Sequence, residues 1–333
     1  MRTLLNLVLI LTLSLPVLAD DDPQTGSAGA QFLKIGVGSR YQGMADVGVA
    51  TAGDAYAAYW NPAGLVEVEN WSLAFSNVNW LLDINLNYFA AARNFEDIGV
   101  FAVSATVLSA GEQEITTVAD QSGTGQTYTF SSYAIGLSFA RQLTNRFAFG
   151  TTVKFIGEKI GDVDAQGIGL DFGTLLYTGF NSLRLGMSIS NMGSSMKFAG
   201  TGLKVDYDDQ DTQANNRSVG AELSARSYDL PLTFRVGMAY DFDFGPNSVV
   251  TFSGELYDPN DSNQKASLGA EMSYLEKFFL RGGYKFRYDE ETFALGGGLL
   301  APVGDDTQLV IDYSWQDFGR LESTQRFSIG FTF

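Results

Sequence analysis

The chain has 333 residues, a formal charge of −17, 37 glycines, 13% aromatic and 18% charged residues, and neither cysteine nor histidine. So acidic a balance excludes a nucleic-acid partner, which needs a basic surface, and the missing cysteine excludes a disulfide scaffold. Without histidine there is no Ser/His triad, histidine-dependent phospholipase, lipid A deacylase or zinc peptidase chemistry, which leaves carboxylate pairs or Ser-Lys arrangements. No signature for those appears, so no catalytic residue, metal or cofactor is expected and the chain is not read as an enzyme.

Residues 1–19 read as a secretory signal: Arg2, an apolar run, the helix breaker Pro16, then Val17 and Ala19 at the positions a peptidase inspects. The run is short for an anchor and Asp20, Asp21 and Asp22 follow at once. Residues 20–66 are expected to form the next unit, which the resemblance given below makes an N-terminal hatch. Within it, 36–65 shows neither steady two-residue alternation nor the polar composition of a loop, as expected of a compact insert. Asp54 can accept hydrogen bonds from the free N–H groups of a short helix over 55–60, whose alanines lose little entropy on ordering. Pro62 should end that helix, pushing Asn61 out of the α region, and Gly64, after Ala63, is expected to take a left-handed conformation that turns the chain onward.

Residues 67–333 carry no run long enough for a spanning helix, yet from Trp71 onward apolar residues recur at every second position over segments of about ten residues. Leu183, Leu185, Met187 and Ile189 interleave with Arg184, Gly186, Ser188 and Ser190; Leu232, Phe234, Val236, Met238 and Tyr240 interleave with Thr233, Arg235, Gly237, Ala239 and Asp241. The pattern predicts an all-β fold, a transmembrane outer-membrane β-barrel of about fourteen antiparallel strands. Strand starts are expected near Trp71, Asp83, Asp97, Gln126, Asn145, Val163, Asn181, Tyr228, Asn247, Asn263, Lys277, Glu291, Asp306 and Thr324. The longest connections, 111–125 and 191–227, follow odd-numbered strands and short ones follow even strands, which places long loops outside a Gram-negative cell and both termini in the periplasm. The last strand, with Phe327, Ile329, Phe331 and Phe333 on one face, resembles the signal read by the barrel-assembly machinery. Outer-membrane lipid and that machinery are thus expected partners.

The inward face carries both signs of charge: Lys154, Asp171, Arg184, Arg235, Glu255, Glu271, Arg281, Lys285, Arg287 and Asp312. With regular registers Arg235 faces Glu255 and Glu271 faces Arg281, pairs that can stitch a lumen and anchor a plug. The acidic stretches 206–211 and 258–263 read as solvated turns, with calcium binding the weaker reading. Gly296, Gly297 and Gly298 read as close packing against the plug. On the strand over 98–108 both faces are apolar or small, as a greasy lumen wall would be. In the long connection Met196, Phe198, Leu203, Val205 and Leu223, with Arg217 and Arg226, form a set of apolar anchors rimmed by charge.

Asp54 followed by Ala-Tyr-Ala-Ala-Tyr-Trp-Asn-Pro-Ala-Gly-Leu, after a glycine-spaced segment, resembles the hatch of FadL-type outer-membrane transporters, and more closely the PorV/PorQ branch. Leu230-Pro231-Leu232-Thr233-Phe234-Arg235 and Gln31-Phe32-Leu33-Lys34-Ile35-Gly36 extend that resemblance over most of the chain. It implies an accessory of protein secretion working beside a type IX translocon and its cargo. The alternative it implies is a passive FadL-like channel, with a hydrophobic or amphipathic ligand in the lumen.

Overall fold

In the computed structural model, which describes residues 25–207, 219–304 and 306–333, the chain is a closed barrel around an internal hatch. Its strands are β1 (Trp71–Asn79), β2 (Asn85–Asn94), β3 (Val100–Glu114), β4 (Thr127–Thr144), β5 (Phe147–Ile160), β6 (Val163–Tyr177), β7 (Arg184–Gly193), β8 (Ala199–Gly200), β9 (Lys204–Tyr207), β10 (Val219–Glu222), β11 (Thr233–Asp243), β12 (Ser248–Pro259), β13 (Lys265–Tyr274), β14 (Phe278–Phe286), β15 (Phe293–Pro302), β16 (Gln308–Asp317) and β17 (Ser323–Thr332). Fourteen of them, β1–β7 and β11–β17, make the wall, each antiparallel to both neighbours, and the β1/β17 pair closes it. Every wall strand begins within five residues of its expected start. The signal read over 1–19 and part of the long connection, including Arg217, lie outside the described residues.

Alternation is what forces this closure. Side chains at even steps, such as Ala134, Gly136 and Ser138 on β4, are small or buried, while Ile135 and Leu137 point out and stay exposed. A lipid-facing apolar side and an internal side with no free edge satisfy every backbone group without water. The wall is uneven: β3–β6 run 14–18 residues and the other wall strands 9–12. About ten residues suffice to cross the membrane, so β3–β6 rise beyond it. The rise is at the end with the long connections, since at the other end their hairpins close in a few residues.

The core lies inside the barrel. Val37, Tyr41, Met44, Tyr56, Trp60 and Leu65 of the hatch pack with Val78, Leu86 and Tyr88 of β1 and β2. Phe333 pairs with Trp71 at the turn end, as expected of the C-terminus. On the N-terminal side the structure departs from the expected periplasmic position: the described chain begins at the opposite, loop end, where Ala28 bridges Asp229 and Gln31 bonds Asp261, and it leaves the hatch at the turn end into β1. The hatch therefore occupies the barrel from one mouth to the other.

Candidate functional site

The hatch motif is a set of caps and close approaches. Asp54 accepts from the Tyr56 N–H at 2.9 Å and from the Tyr41 hydroxyl at 3.1 Å, just ahead of the helix Ala57–Trp60. That helix ends at Asn61, whose extended backbone (φ −159°, ψ 102°) is what Pro62 imposes on its predecessor. Asn61 does more than end it. Its Oδ1 accepts from the Ala63 N–H at 3.1 Å, capping a second, 3-10 turn over Pro62–Glu67, and its Nδ2 donates to the Val49 carbonyl at 2.6 Å and to the Thr174 carbonyl of β6 at 3.0 Å. Gly64 corrects the sequence reading. It lies inside that 3-10 turn without a positive φ, and a Cβ there would stand 2.0 Å from the Ala52 carbonyl oxygen. Close approach, not handedness, requires the glycine.

The charge network joins hatch to wall. Glu271 and Arg281 face each other in register as expected, their side chains 2.5 Å apart, and Arg40 of the hatch adds a second guanidinium to Glu271 at 2.7 Å while Asp312 takes Arg281 at 2.5 Å. Lys285 holds Asp46 at 2.6 Å and also bonds Glu291; Arg326 reaches Asp46 at 3.4 Å. The expected Arg235/Glu255 register is off by two: Arg235 stands opposite Tyr257 and Glu255 opposite Gly237. The pair forms diagonally instead, at 2.6 Å, with the guanidinium stacked 4.1 Å over the Tyr257 ring, and Glu255 uses its other oxygen on the Gly48 and Val49 amides of the hatch. Lys154 pairs with Asp171 at 2.8 Å beside the register shift between β6 and β7, and bonds Asn191. Arg184 meets Asp241 at 2.8 Å, half-exposed near the turn end. Arg287 is not among these groups: β14 ends at Phe286, and Arg287 stands exposed in the following turn with φ 63°.

Partners that sequence reasoning missed are mostly on the hatch. Lys34 and Gln31 both bond Asp261, at 2.8 and 2.7 Å, so that acid of the 258–263 stretch holds a lysine rather than standing free in a turn. Burial pushes the Asp261 carboxyl up, but the bonds from Lys34 and Gln31 outweigh this and hold it below the usual carboxylate range. The signal was present: Lys34, Arg40 and Asp46 are isolated charges in a stretch of apolar and small residues.

Glycines set how near the hatch comes. A Cβ on Gly173 would stand 2.0 Å from the Asn61 Oδ1, one on Gly150 2.3 Å from the Pro62 carbonyl carbon, and one on Gly296 3.1 Å from the Gly43 Cα. Gly296 thus packs on the plug as expected. Gly298 instead makes room for Asp312 and Arg281, and Gly297 faces out.

What remains of the lumen is divided. A vestibule of about 750 Å³ opens at the loop end, lined by Phe32, Trp80, Leu108, Phe130, Tyr228 and Tyr257 among others. Beneath it a cavity of about 30 Å³, touching Leu33, Tyr59, Tyr88 and Arg235, has room for one water, and a separate one of about 150 Å³ lies between Arg40, Asp54 and Tyr56 of the hatch and Arg281, Asp312 and Ser328 of the wall. A recess of about 370 Å³ beside Glu67, Glu69, Asp306 and Phe333 opens at the turn end. On β3, Val100 and Ala102 are covered and Leu108 faces the vestibule, so only its upper part is a greasy lumen wall. Of the loop anchors, Met196 is fully buried over Gly167 and Phe198 packs on Tyr228 at 5.6 Å, which makes both part of the wall at the β6 edge; Val205 and Leu223 remain exposed.

Comparison with known proteins fits this geometry. A family model described as type IX secretion system protein PorV matches residues 19–258. The fold is similar to a Pseudomonas putida toluene transporter, TodX (TM-score 0.61, 11% identity, 90% of this chain and 99% of that one), and to the Ralstonia pickettii toluene transporter TbuX (0.60, 14%, 89% and 97%). A Pseudomonas aeruginosa FadL homologue is similar at TM-score 0.54, with 12% identity over 89% of this chain and 97% of that one. No curated protein matches by sequence.

Proposed function

The chain belongs to the PorV family of type IX secretion system proteins, and from that premise we propose that it works through the loop end of a barrel whose lumen stays shut. The observation that carries this reading is the hatch. It fills the barrel between the mouths, is joined to the wall through Lys34, Arg40, Asp46 and the Gly48 and Val49 amides, and leaves separate mid-barrel cavities of about 30 and 150 Å³. A solute crossing from vestibule to recess would have to displace buried ion pairs, and breaking such a pair costs about 3–5 kcal/mol.

The surface left for a partner is the tall β3–β6 rim together with the hairpin β9/β10, where Val205 and Leu223 are exposed. Apolar side chains rimmed by charge are the usual composition of a docking patch. Type IX translocon components and cargo are the partners this surface would meet.

The test is to make Val205→Asp and Leu223→Asp together, alongside a shortening of residues 204–216. Loop shortening changes folding free energy little, so heat-modifiable barrel should still form, while co-purification of translocon and secretion of cargo are lost. Variants that keep both, yet change uptake of a hydrophobic solute, would move the assignment to a FadL-like channel.

A further inference from the structure

Every wall or hatch cation named above is paired, but two arginines on the lipid-facing side are not. Arg93 near the end of β2 and Arg141 near the end of β4 are exposed, point outward at the turn end, and make no ion pair or hydrogen bond among the described residues. The register sets aromatic rings around them. Trp71 on β1 stands opposite Arg93, Arg93 opposite Phe101 on β3, and Phe101 opposite Phe139 on β4, one continuous outward row across four strands. The Arg93 guanidinium lies 4.8 Å from the centroids of both Trp71 and Phe95. Phe95 continues into Phe101 at 5.6 Å and Phe101 into Phe139 at 5.0 Å, and Arg141 follows two residues after Phe139.

A cation facing hydrocarbon is destabilising at the bilayer midplane and nearly free at the headgroups. Arg93 and Arg141 must therefore lie at headgroup level, where Trp and Phe form the aromatic belt. The two rings flank the Arg93 guanidinium, whose N–H groups, bonded to nothing among the described residues, are left for an acceptor. Its geometry suits two oxygens of one phosphate better than a point charge does. Glu96 and Asp97 lie in the turn beyond Phe95 and pair with neither arginine.

We propose that Trp71, Arg93, Phe95, Phe101, Phe139 and Arg141 form a binding site for the headgroup of an anionic phospholipid in the periplasmic leaflet. The aromatic row takes the upper acyl chain and the two guanidiniums face the anionic phosphate. The site faces away from the lumen and from the long loops, and does not depend on the proposed docking role.

The experiment is native mass spectrometry of the purified barrel in zwitterionic micelles, titrated with phosphatidylglycerol and, separately, phosphatidylcholine. Wild type should retain phosphatidylglycerol adducts at concentrations where phosphatidylcholine gives none. Each arginine near an anionic surface contributes about fivefold, so Arg93→Gln with Arg141→Gln should weaken retention roughly 25-fold. Lys277→Gln, another turn-end cation, should change nothing. If the glutamine pair fails to fold, Arg93→Lys with Arg141→Lys keeps the charge but loses the planar fork, and should weaken retention by a few fold. Equal retention of both lipids by wild type, or unchanged retention in the variants, overturns the site. Loss of a protein partner with lipid retention unchanged overturns it too, in favour of an acidic protein surface.

Discussion

Towards β11–β17 the hatch lies close, with Met44 against Gly269 and Gly283 and Gly43 against Gly296, and is held by charge besides: Arg40 on Glu271, Asp46 on Lys285 and Arg326, and the Gly48 and Val49 amides on Glu255. Towards β5 and β6 it is held by nearness: Asn61, Pro62 and Ala63 lie against Gly150, Gly173, Ala148 and Leu175. Charge pairs fix where the hatch sits because each has one partner and a buried misfit is costly. Small residues fix how deep it sits, because a backbone cannot yield as a side-chain tip can. The first wall is therefore the one open to failure through unpaired charge, while the second, which no ion pair joins to the hatch among the described residues, should fail through volume.

The largest effect is expected at Glu271, which serves Arg40 and Arg281 together. Glu271→Ala leaves two guanidiniums without their shared carboxylate and should cost about 3–5 kcal/mol, read as a lower unfolding temperature and as new protease cleavage within the hatch. A stable variant with an uncut hatch would show that the charged wall is not what holds it.

Most of the wall was legible in sequence because one lipid face imposes a period of two that no helix shares. Fourteen starts came within five residues on that signal alone. The hatch was not legible in the same way. Its segments touch strands hundreds of residues away, as Lys34 does Asp261, and no periodicity encodes such a partner. Gly64 shows the ambiguity of a glycine, which serves a turn or a close approach equally well in sequence. Arg235 shows that face can be read when register cannot: the strand direction was right, but the β11/β12 pairing set Glu255 two residues away. Met196 reads as a surface anchor in sequence yet is buried, because apolar residues in a long connection carry no mark of whether they turn in or out.

On the close-packed wall, Gly173→Val should cost about 1–3 kcal/mol, as overpacking against an immovable neighbour does. Its Cβ would meet Asn61, so the hatch rather than the strand should lose protection first. Equal loss of protection across β5 and β6 would mean that the glycine serves the sheet. Asn61→Ala removes the Ala63 cap and the bonds to Val49 and Thr174, and should cost about 1–3 kcal/mol in the same assay.

The smallest effect belongs to the latch at the loop end, where Lys34 keeps 22% of its side chain exposed against Asp261. Lys34→Ala should cost about 1 kcal/mol or less. Because the Asp261 carboxyl is held below its unfolded value, its contribution is fully present above about pH 4 and is lost as pH falls through the depressed value. Protection of residues 25–35 should thus be flat from pH 5 to pH 8 and fall only in stronger acid. A decline near neutral pH would assign the latch to another group.

The absence of cysteine allows the shut lumen to be tested directly. Ser39 of the hatch and Ser328 of β17 place their hydroxyl oxygens 2.9 Å apart, so Ser39→Cys with Ser328→Cys can tie plug to wall in the oxidising envelope. The measurement is cargo secretion by cells whose barrel carries this crosslink, with and without reductant. Secretion equal to wild type with the hatch tied is the expected result. Secretion lost in the oxidised state and restored by reductant would contradict the account, since the hatch would then have to move.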